Sequence, residues 1–324
     1  DKNDTGGLVS CSAWNVQDIF QAFGAPLCFG GDHAITWHPD ADMYVDSMLN
    51  PGMVDALKYL NKLYAEGYLD KEIFTNKSSN MREKVYNGIF GSTFYWAGQG
   101  LTTGQTMVRK ITPKGSFVEV PGIKGTAEKN VNQVIKTAPP YILVKGTEQP
   151  KEVVNAFFDI FFGSKEGYLF GKMGIENKTY KLEGNNIIWM KDESGSPIGL
   201  PDILLPIPEY SQEKYPIIMD GTEEEKKEAL NLGEQMAKTK EEGYNKGLLY
   251  DLPGNLDSLV SDTWVARSAD VMKIFEEALV KSVTGELSAE EAIAQYKKKM
   301  IDIGADQVIK ELNDNLGKTT TQTY

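Results

Sequence analysis

Apolar stretches with two different periods follow one another along the chain, and this alternation limits the folds it can adopt. PGMVDALKYLNKLYAEG, residues 51–67, carries apolar residues at three- and four-residue steps, which is typical of an amphipathic helix. Pro51 stands at its start and Gly67 just past its end, as expected for helix termini. A second helical stretch at 79–88 leads into a predicted strand at 89–98. Strands that alternate with helices indicate an α/β fold.

The rest of the chain continues this pattern and then becomes helical. We predict a strand followed by a loop over 108–125, an apolar strand over 138–146 and a hairpin over 178–190 around Glu183-Gly184-Asn185. Helices are predicted over 149–167, 222–243, 262–285, 288–304 and 305–317. The helices that end the chain follow no further strand, so they are expected to close a domain that the earlier segments begin.

Three details of these segments can be checked against a structure. One face of the 149–167 helix is expected to lie in a core: Val153, Val154, Phe157, Phe158, Phe161 and Phe162. Ser288 and Glu291 have the spacing of a capping box, so a helix should begin there. The final residues, KTTTQTY, are polar and are expected to fray.

The charge balance argues against two classes of partner. The chain has 46 acidic and 34 basic residues and a formal net charge of −12. Nucleic acids and anionic membrane surfaces attract basic proteins, so we expect neither as a partner. The sequence also contains no apolar run of about 18 residues that could cross a membrane.

Cysteine and histidine are too scarce to define a site. Cys11 and Cys28 cannot supply a disulfide scaffold, and whether they pair stays open. His33 and His38 lie five residues apart in a loop-like stretch, and a zinc site would need further ligands. We therefore expect no catalytic metal.

Common enzyme signatures are also missing from the sequence. The patterns GxGxxG, GxxxxGKS/T, HExxH and GxSxG do not occur. Carboxylates are abundant, so a carbohydrate-active enzyme with two paired carboxylates remains an alternative, although sequence cannot supply the separation that defines such a pair. The absence of a nucleophile motif favours a protein without catalysis.

Aromatic residues are the most informative feature. Phe94, Tyr95 and Trp96 are consecutive and are flanked by glycines, and at least one of three consecutive rings in an extended segment must leave the core. Exposed aromatic area often marks a binding site. The five tryptophans are Trp14, Trp37, Trp96, Trp189 and Trp264. Each could instead be a packing residue.

Four blocks, in the same order, resemble extracellular solute-binding proteins of ABC importers, of the lipoprotein and oligosaccharide-binding type similar to alginate-binding proteins. They are LKYLNKLYAEGYLDKEIFT (57–75), NGIFGSTFYWAG (87–98), the stretch 138–182 with its GIENKTY turn, and 279–314. None is specific alone, but their order over most of the chain carries the resemblance.

The resemblance implies a periplasmic-binding-protein-like α/β fold, with two lobes joined by hinge strands, C-terminal helices and a solute in the cleft. Residues 1–118 and 235–324 would form one lobe and 119–234 the other, with hinge candidates near 116–126 and 180–190. It also implies upstream residues, absent from this sequence, that carry a lipid-modified cysteine and the first βα units of a lobe.

The resemblance also implies which residues meet ligands. Trp96 matches the stacking tryptophan of the family, with Tyr95, Trp264 and Trp37 as further rings. Arg267 or Arg109 could meet an acidic ligand.

A calcium loop is implied near the start of the chain. Family members place such a loop where this sequence reads DKNDTGG, which would make Asp1, Asn3 and Asp4 part of a structural calcium site. A plain Asx-rich turn is the alternative. No cofactor is required for solute binding.

The expected function is therefore to bind a carbohydrate, of oligosaccharide size, and deliver it to the membrane permease of an ABC importer. We expect a monomeric, extracellular, cell-surface lipoprotein that is not an enzyme. A binder of peptides or other small solutes is a further alternative, because a fold does not fix its ligand. The sequence does not identify the solute.

We predict that Trp96→Ala weakens solute binding about tenfold or more, since stacking on one ring contributes roughly 1–3 kcal/mol. The free energy of unfolding should change little if the ring is exposed. Calorimetric affinity and urea unfolding of this variant test both points. Unchanged affinity with a loss of about 3–5 kcal/mol in stability would instead place the ring in a core.

Overall fold

The structure is a computed structural model that describes residues 6–10, 16–25, 34–38, 41–94, 104–118, 125–126, 143–161, 163–193, 198, 216–245 and 261–324. The chain divides into two compact, discontinuous units. Unit 1 comprises Asp1–Tyr95, Val120–Lys136 and Glu242–Tyr324, and unit 2 comprises Trp96–Glu119 and Thr137–Glu241. The lobe boundaries expected near 118 and 234 remain a prediction.

The described strands are short. They are β1 (Gly6–Val9), β2 (Ile35–His38), β3 (Met43–Asp46), β4 (Phe90–Thr93), β5 (Tyr180–Glu183), β6 (Asn186–Trp189) and β7 (Ile217–Met219). In unit 1, β1 and β4 are parallel, and β2 and β3 are antiparallel. In unit 2, the antiparallel hairpin β5–β6 extends to β7 through a parallel pairing.

The described helices account for most of the remaining regular structure. They are α1 (Gln17–Ala22), α2 (Met53–Ala65), α3 (Ser78–Tyr86), α4 (Gln105–Ile111), α5 (Pro150–Phe161), α6 (Lys165–Met173), α7 (Glu223–Asn245), α8 (Asp262–Thr284), α9 (Ala289–Asp302) and α10 (Val308–Asn315). Single 3-10 turns cover Ser47–Leu49 and Ala305–Gln307.

The core of unit 1 is built mainly from α2, α8 and α9. Leu57 and Leu60 of α2 are buried in the same cluster as Phe275 and Leu279 of α8. The ring of Phe275 meets that of Tyr296, from α9, edge to face with centroids 6.3 Å apart. This geometry is the preferred one for aromatic pairs. The three helices therefore share one apolar interior.

Unit 2 has its own, smaller core. Tyr168, Leu169 and Met173 of α6 pack with residues of the β5–β6 hairpin, including Ile187 and Trp189. The predicted hairpin over 178–190 is confirmed, with Gly184 and Asn185 as its turn. The proposed hinge near 180–190 is wrong, because this segment lies inside unit 2 and packs in its core.

Several helix ends lie where the sequence places them. α2 begins at Met53, just after Pro51, and α8 ends before Gly285. Gly285 has a φ of 81°, a left-handed conformation that a residue with a Cβ rarely adopts. The capping box at Ser288 is confirmed, since its hydroxyl accepts a bond from the backbone N–H of Glu291 and that carboxylate accepts one in return.

Three predicted segments differ from the structure. The strand expected from residue 108 is instead the end of α4, followed by irregular chain to 118. The described end of the 138–146 strand is a turn. On α5 no described residue is fully buried; Phe157 and Phe161 pack against the unit 2 core, whereas Phe158 is exposed.

The C-terminal segment 318–324, which was expected to fray, is held against unit 1. Gln322 exchanges two hydrogen bonds with the backbone of Asp46, and the hydroxyl of Tyr324 donates to the Asp46 carboxylate at 2.6 Å. Lys318 pairs with Asp42. Polar side chains therefore order this segment, because their partners belong to β3 and the turn before it.

We predict that Leu279→Ala lowers the free energy of unfolding by about 2–5 kcal/mol, because truncation leaves a cavity at the α2–α8 contact. Val265→Ala on the same helix is the matched control, since that side chain is 75% exposed. Chemical unfolding of both variants gives the comparison, and equal losses would contradict the described core.

Candidate functional site

The carboxyl ends of three neighbouring backbone segments lie along one edge in unit 1. β1 and β4 run parallel, with Val9 opposite Thr93. On the other side of β1, the N–H of Leu8 donates to Tyr68 and its carbonyl accepts from Asp70. Ligands of open α/β sheets bind outside the carboxyl ends of parallel strands. This carboxyl edge, from Ser10 to Phe94, is the candidate site.

Side-chain hydrogen bonds fix β4 to β1 just before the aromatic stretch. The hydroxyl of Ser92 donates to the carbonyl of Gly7 at 2.8 Å, and that of Thr93 donates to the carbonyl of Val9 at 3.0 Å. Phe94 is half-buried and packs against the core of unit 1. The described chain is therefore held in place as far as Phe94.

A polar network braces the exit of β1 at the same edge. The side-chain amide of Asn76 donates to the carbonyl of Ser10 at 2.9 Å and to the carboxylate of Asp70 at 2.7 Å. The ammonium of Lys84 donates to Asp70 at 2.7 Å and to Glu72 at 2.6 Å. Asp70 and Ser10 are buried, so the network compensates for polar atoms removed from water.

The network shifts the ionisation of its members. Burial alone would raise the pKa of Asp70, but hydrogen bonds from Lys84, the Glu72 backbone and Asn76 outweigh it and hold the pKa below 3.8. Burial likewise acts to lower the pKa of Lys84, and its two carboxylate partners raise it instead. Both groups therefore stay charged near neutral pH.

Most of the site residues predicted from the sequence lie outside the described residues or have undescribed side chains. Tyr95, Trp96, Asp1, Asn3 and Asp4 are outside the described ranges. Their roles stay predictions.

The remaining predicted site residues lie on β2 and α8. Trp37 belongs to β2, where its backbone pairs with Tyr44, and its side chain is not among those described. Arg267 is exposed on α8. Nothing in the described contacts brings Trp37 and Arg267 together.

Trp264 has a different position from the one expected of a ligand contact. Its side chain is only 3% exposed and belongs to the core of unit 1. Its backbone N–H donates to the hydroxyl of Ser261, which caps α8. The packing alternative therefore accounts for Trp264, and we do not carry it into the proposed ligand contacts.

The other arginine considered from the sequence is committed to an ion pair. Arg109, on α4, pairs with Glu228 and lies 3.7 Å from Glu225, both on α7. These contacts join two helices of unit 2. They leave the positive charge of Arg109 balanced within the unit rather than directed to an acidic ligand.

The Asp70–Asn76–Lys84 network was missed from the sequence. Its members are separated by 6 to 14 residues and follow no helical or strand period. These residues come together because the segment after α2 is hydrogen-bonded alongside β1. The one available signal was that Asp70 lies in the block 57–75, which carries the family resemblance.

Within the described ranges, no cluster of three or more histidine, cysteine, aspartate or glutamate side chains could hold a metal ion. The calcium site suggested at Asp1, Asn3 and Asp4 falls outside those ranges. No helix among the described residues is both long and apolar enough to span a membrane.

Comparison with known proteins gives a consistent fold. No protein-family model matches the chain. Lipoprotein LipO of Bacillus subtilis (strain 168) is 23% identical over 96% of this chain and 60% of LipO. The alginate-binding protein AlgQ2, solved without calcium ion, superposes with a TM-score of 0.61 at 18% identity, covering 96% of this chain and 63% of AlgQ2.

Two further structures agree. The S. pneumoniae ABC-transporter substrate-binding protein FusA, in complex with kestose, has a TM-score of 0.58 at 14% identity, covering 97% of this chain and 63% of FusA. An HMO-binding ABC-transporter-associated solute-binding protein from Bifidobacterium longum infantis ATCC 15697 has a TM-score of 0.61 at 11% identity, over 98% and 66% of the two chains.

These matches confirm the resemblance stated from the sequence and the periplasmic-binding-protein-like α/β fold. The chain spans 60–66% of the length of these relatives. Identities of 11–23% establish the fold and leave the ligand open.

We predict that Lys84→Met lowers the free energy of unfolding by about 1–3 kcal/mol at neutral pH, because the buried carboxylate of Asp70 loses its cation. Lys58→Met, which removes an exposed ion pair with Glu290, should change stability little.

The effect of Lys84→Met should also depend on pH. Because the pKa of Asp70 is lowered on folding, the stability it contributes is present above pH 3.8 and is lost as the pH falls through the folded value. Urea unfolding of both variants at neutral and acidic pH tests this, and identical losses for Lys84 and Lys58 would contradict it.

Proposed function

We propose that this chain, which has the fold of solute-binding proteins of ABC importers, is the substrate-binding component of such an importer and binds a carbohydrate of oligosaccharide size. The observation that carries the proposal is the structural likeness over 96–98% of the chain to proteins described as binding alginate, kestose and HMO. Those ligands are properties of the relatives, and their shared carbohydrate class motivates the assignment here.

The carboxyl edge of unit 1 supplies a suitable place for such a ligand. Tyr95 and Trp96 follow Phe94, the first residue after β4, and β4 is hydrogen-bonded to β1 up to Thr93. Aromatic rings bind the C–H faces of sugars by burying apolar surface, and a small number of polar groups orient the hydroxyls. In this proposal Trp96 stacks on the sugar, with Tyr95 beside it and Trp37 and Arg267 as further candidate contacts.

The protein is proposed to deliver its solute without changing it. The relatives with solved structures are described as binding proteins, which supports a role without catalysis. The partner in this role is the membrane permease of the importer. The likeness to a lipoprotein supports an extracellular, membrane-anchored location for the whole protein. A monomeric state and structural calcium at Asp1, Asn3 and Asp4 remain part of the proposal.

Isothermal titration calorimetry of the full chain tests the proposal. Alginate oligosaccharides, kestose and nystose form the first panel, and short peptides form a second. We expect saturable binding to at least one glycan and none to the peptides. Binding to peptides alone, or release of cleaved sugar products during incubation, would overturn the assignment.

Two variants locate the ligand. Trp96→Ala should weaken glycan binding about tenfold or more, whereas Tyr59→Ala should leave it unchanged. Tyr59 is the matched control because it is an aromatic residue of α2 that is 42% exposed. Full glycan affinity in the Trp96 variant would retain the carbohydrate-binding function but remove this residue from the site.

A further inference from the structure

One carboxylate of unit 1 is completely enclosed. Asp46, at the end of β3, has no exposed surface. Its Oδ2 atom accepts hydrogen bonds from the hydroxyls of Tyr296 and Tyr324, each at 2.6 Å. Its Oδ1 atom accepts from the backbone N–H of Met48 at 2.9 Å. The carboxylate is thus enclosed by neutral donors.

The donors come from three separate parts of the chain. Tyr296 belongs to α9, Met48 to the 3-10 turn after β3, and Tyr324 to the C-terminal segment 318–324. Gln322 of that segment also bonds both backbone groups of Asp46, at 2.7 and 3.2 Å. Changes at the Asp46 carboxylate therefore act on the contact that holds this segment.

The surrounding charges do not neutralise Asp46 directly. Within the described part of the chain, no lysine or arginine lies within ion-pair distance of its carboxylate. Lys297, beside Tyr296 on α9, attracts it from further away. On the turn 305–307, Asp306 acts on Tyr324. Lys318 of the C-terminal segment is paired with Asp42.

The charged groups of α10, which packs on β3, are committed elsewhere. Lys310 pairs with Asp314 on the same helix. Glu311 accepts bonds from the hydroxyls of Ser261 and Thr263 at the start of α8. The turn Ser47–Leu49 carries no ionisable side chain. Neither α10 nor the turn after β3 therefore supplies a charge that compensates the negative charge of the buried Asp46 carboxylate.

We propose that Asp46, Tyr296 and Tyr324 form a buried proton-binding site that makes folded unit 1 more stable as the pH falls from neutral to mildly acidic. The proton comes from solvent and converts the carboxylate to a neutral acid, so the buried charge is removed. One tyrosine oxygen then accepts from the acid, which both hydroxyls can do by rotating their O–H bonds. Proton binding at Asp46 does not depend on the proposed solute.

Two opposing effects on the pKa of Asp46 decide whether stability rises or falls with pH. Burial raises the pKa of Asp46 from 3.8 to about 6, and the hydrogen bonds from Tyr296 and Tyr324 offset only part of that effect. A group whose pKa is raised on folding contributes its stability fully below the unfolded value. That contribution is lost as pH rises through the folded value, so the window is about pH 4–6.

Carbon-13 NMR of the full chain with labelled aspartate carboxyls tests the proposal. We expect one aspartate signal to titrate near pH 6, and that signal to be absent in Asp46→Asn. If every aspartate in the folded wild-type protein titrated below about pH 5, the proposal would be overturned. This measurement on the wild type decides the question even if the variant does not fold.

A second variant tests the link to the C-terminal segment. Tyr324→Phe keeps the ring that covers Asp46 but removes one hydroxyl donor to the carboxylate. The titration midpoint of Asp46 should therefore rise further. Tyr59→Phe, on an exposed ring, should leave it unchanged. An unmoved midpoint in Tyr324→Phe would show that Tyr324 is not part of the proton-binding site.

Stability measurements give an independent readout. Between pH 7.5 and 4, the folding equilibrium constant of the wild type should gain about a hundredfold relative to that of Asp46→Asn. Asp70→Asn is the control of opposite sign, because the pKa of Asp70 is lowered on folding. A wild-type advantage that stays constant or shrinks toward pH 4 would contradict the proposed site.

Discussion

The packing of α2 against α8 and α9 is the interaction on which the rest of unit 1 depends. Its described strands have four residues each and form two-stranded pairs, extended at β1 by a single bridge to Leu69, and such small sheets are marginal by themselves in water. The helices supply the apolar interior that these pairs need, through residues such as Leu57, Leu279 and Tyr296. Leu8 of β1 and Phe94, which follows β4, pack against this interior.

The sequence predicts helices and caps that depend on residues close together in the chain. It misses segments that are held in place by residues far away in the chain. α2 and the capping box at Ser288 follow from periodicity and spacing, and the structure confirms both. The end of α4 was assigned to a strand because Val108 and Ile111 favour that conformation, although the helix prevails there. The segment 318–324 looks unstructured by composition, because its partner Asp46 lies 278 residues before Tyr324.

The candidate site also combines features that the sequence predicts with features that it does not. The sequence predicts a strand over 89–98 that includes the aromatic stretch, and β4 covers only Phe90–Thr93 of it. The bracing network could not be predicted, because the bond between Asn76 and Ser10 spans 66 residues and depends on tertiary packing. Trp264 shows the limit of reasoning from residue type, since the same ring suits a ligand surface or a core. The solved relatives are described with different carbohydrates on one fold, so the architecture alone does not decide the ligand.

The enclosure of Asp46 also bears on how the chain is made. Its hydroxyl donors are residues 296 and 324, so this part of unit 1 stays open until both have been synthesised and have reached β3. At translation rates of about 5–20 residues per second, β3 waits on the order of tens of seconds for them. Contacts between such distant residues also slow folding, because a long loop must close before they form. Throughout that interval, apolar residues such as Leu57 and Leu60 lack the partners on α8 and α9 that bury them in the folded unit.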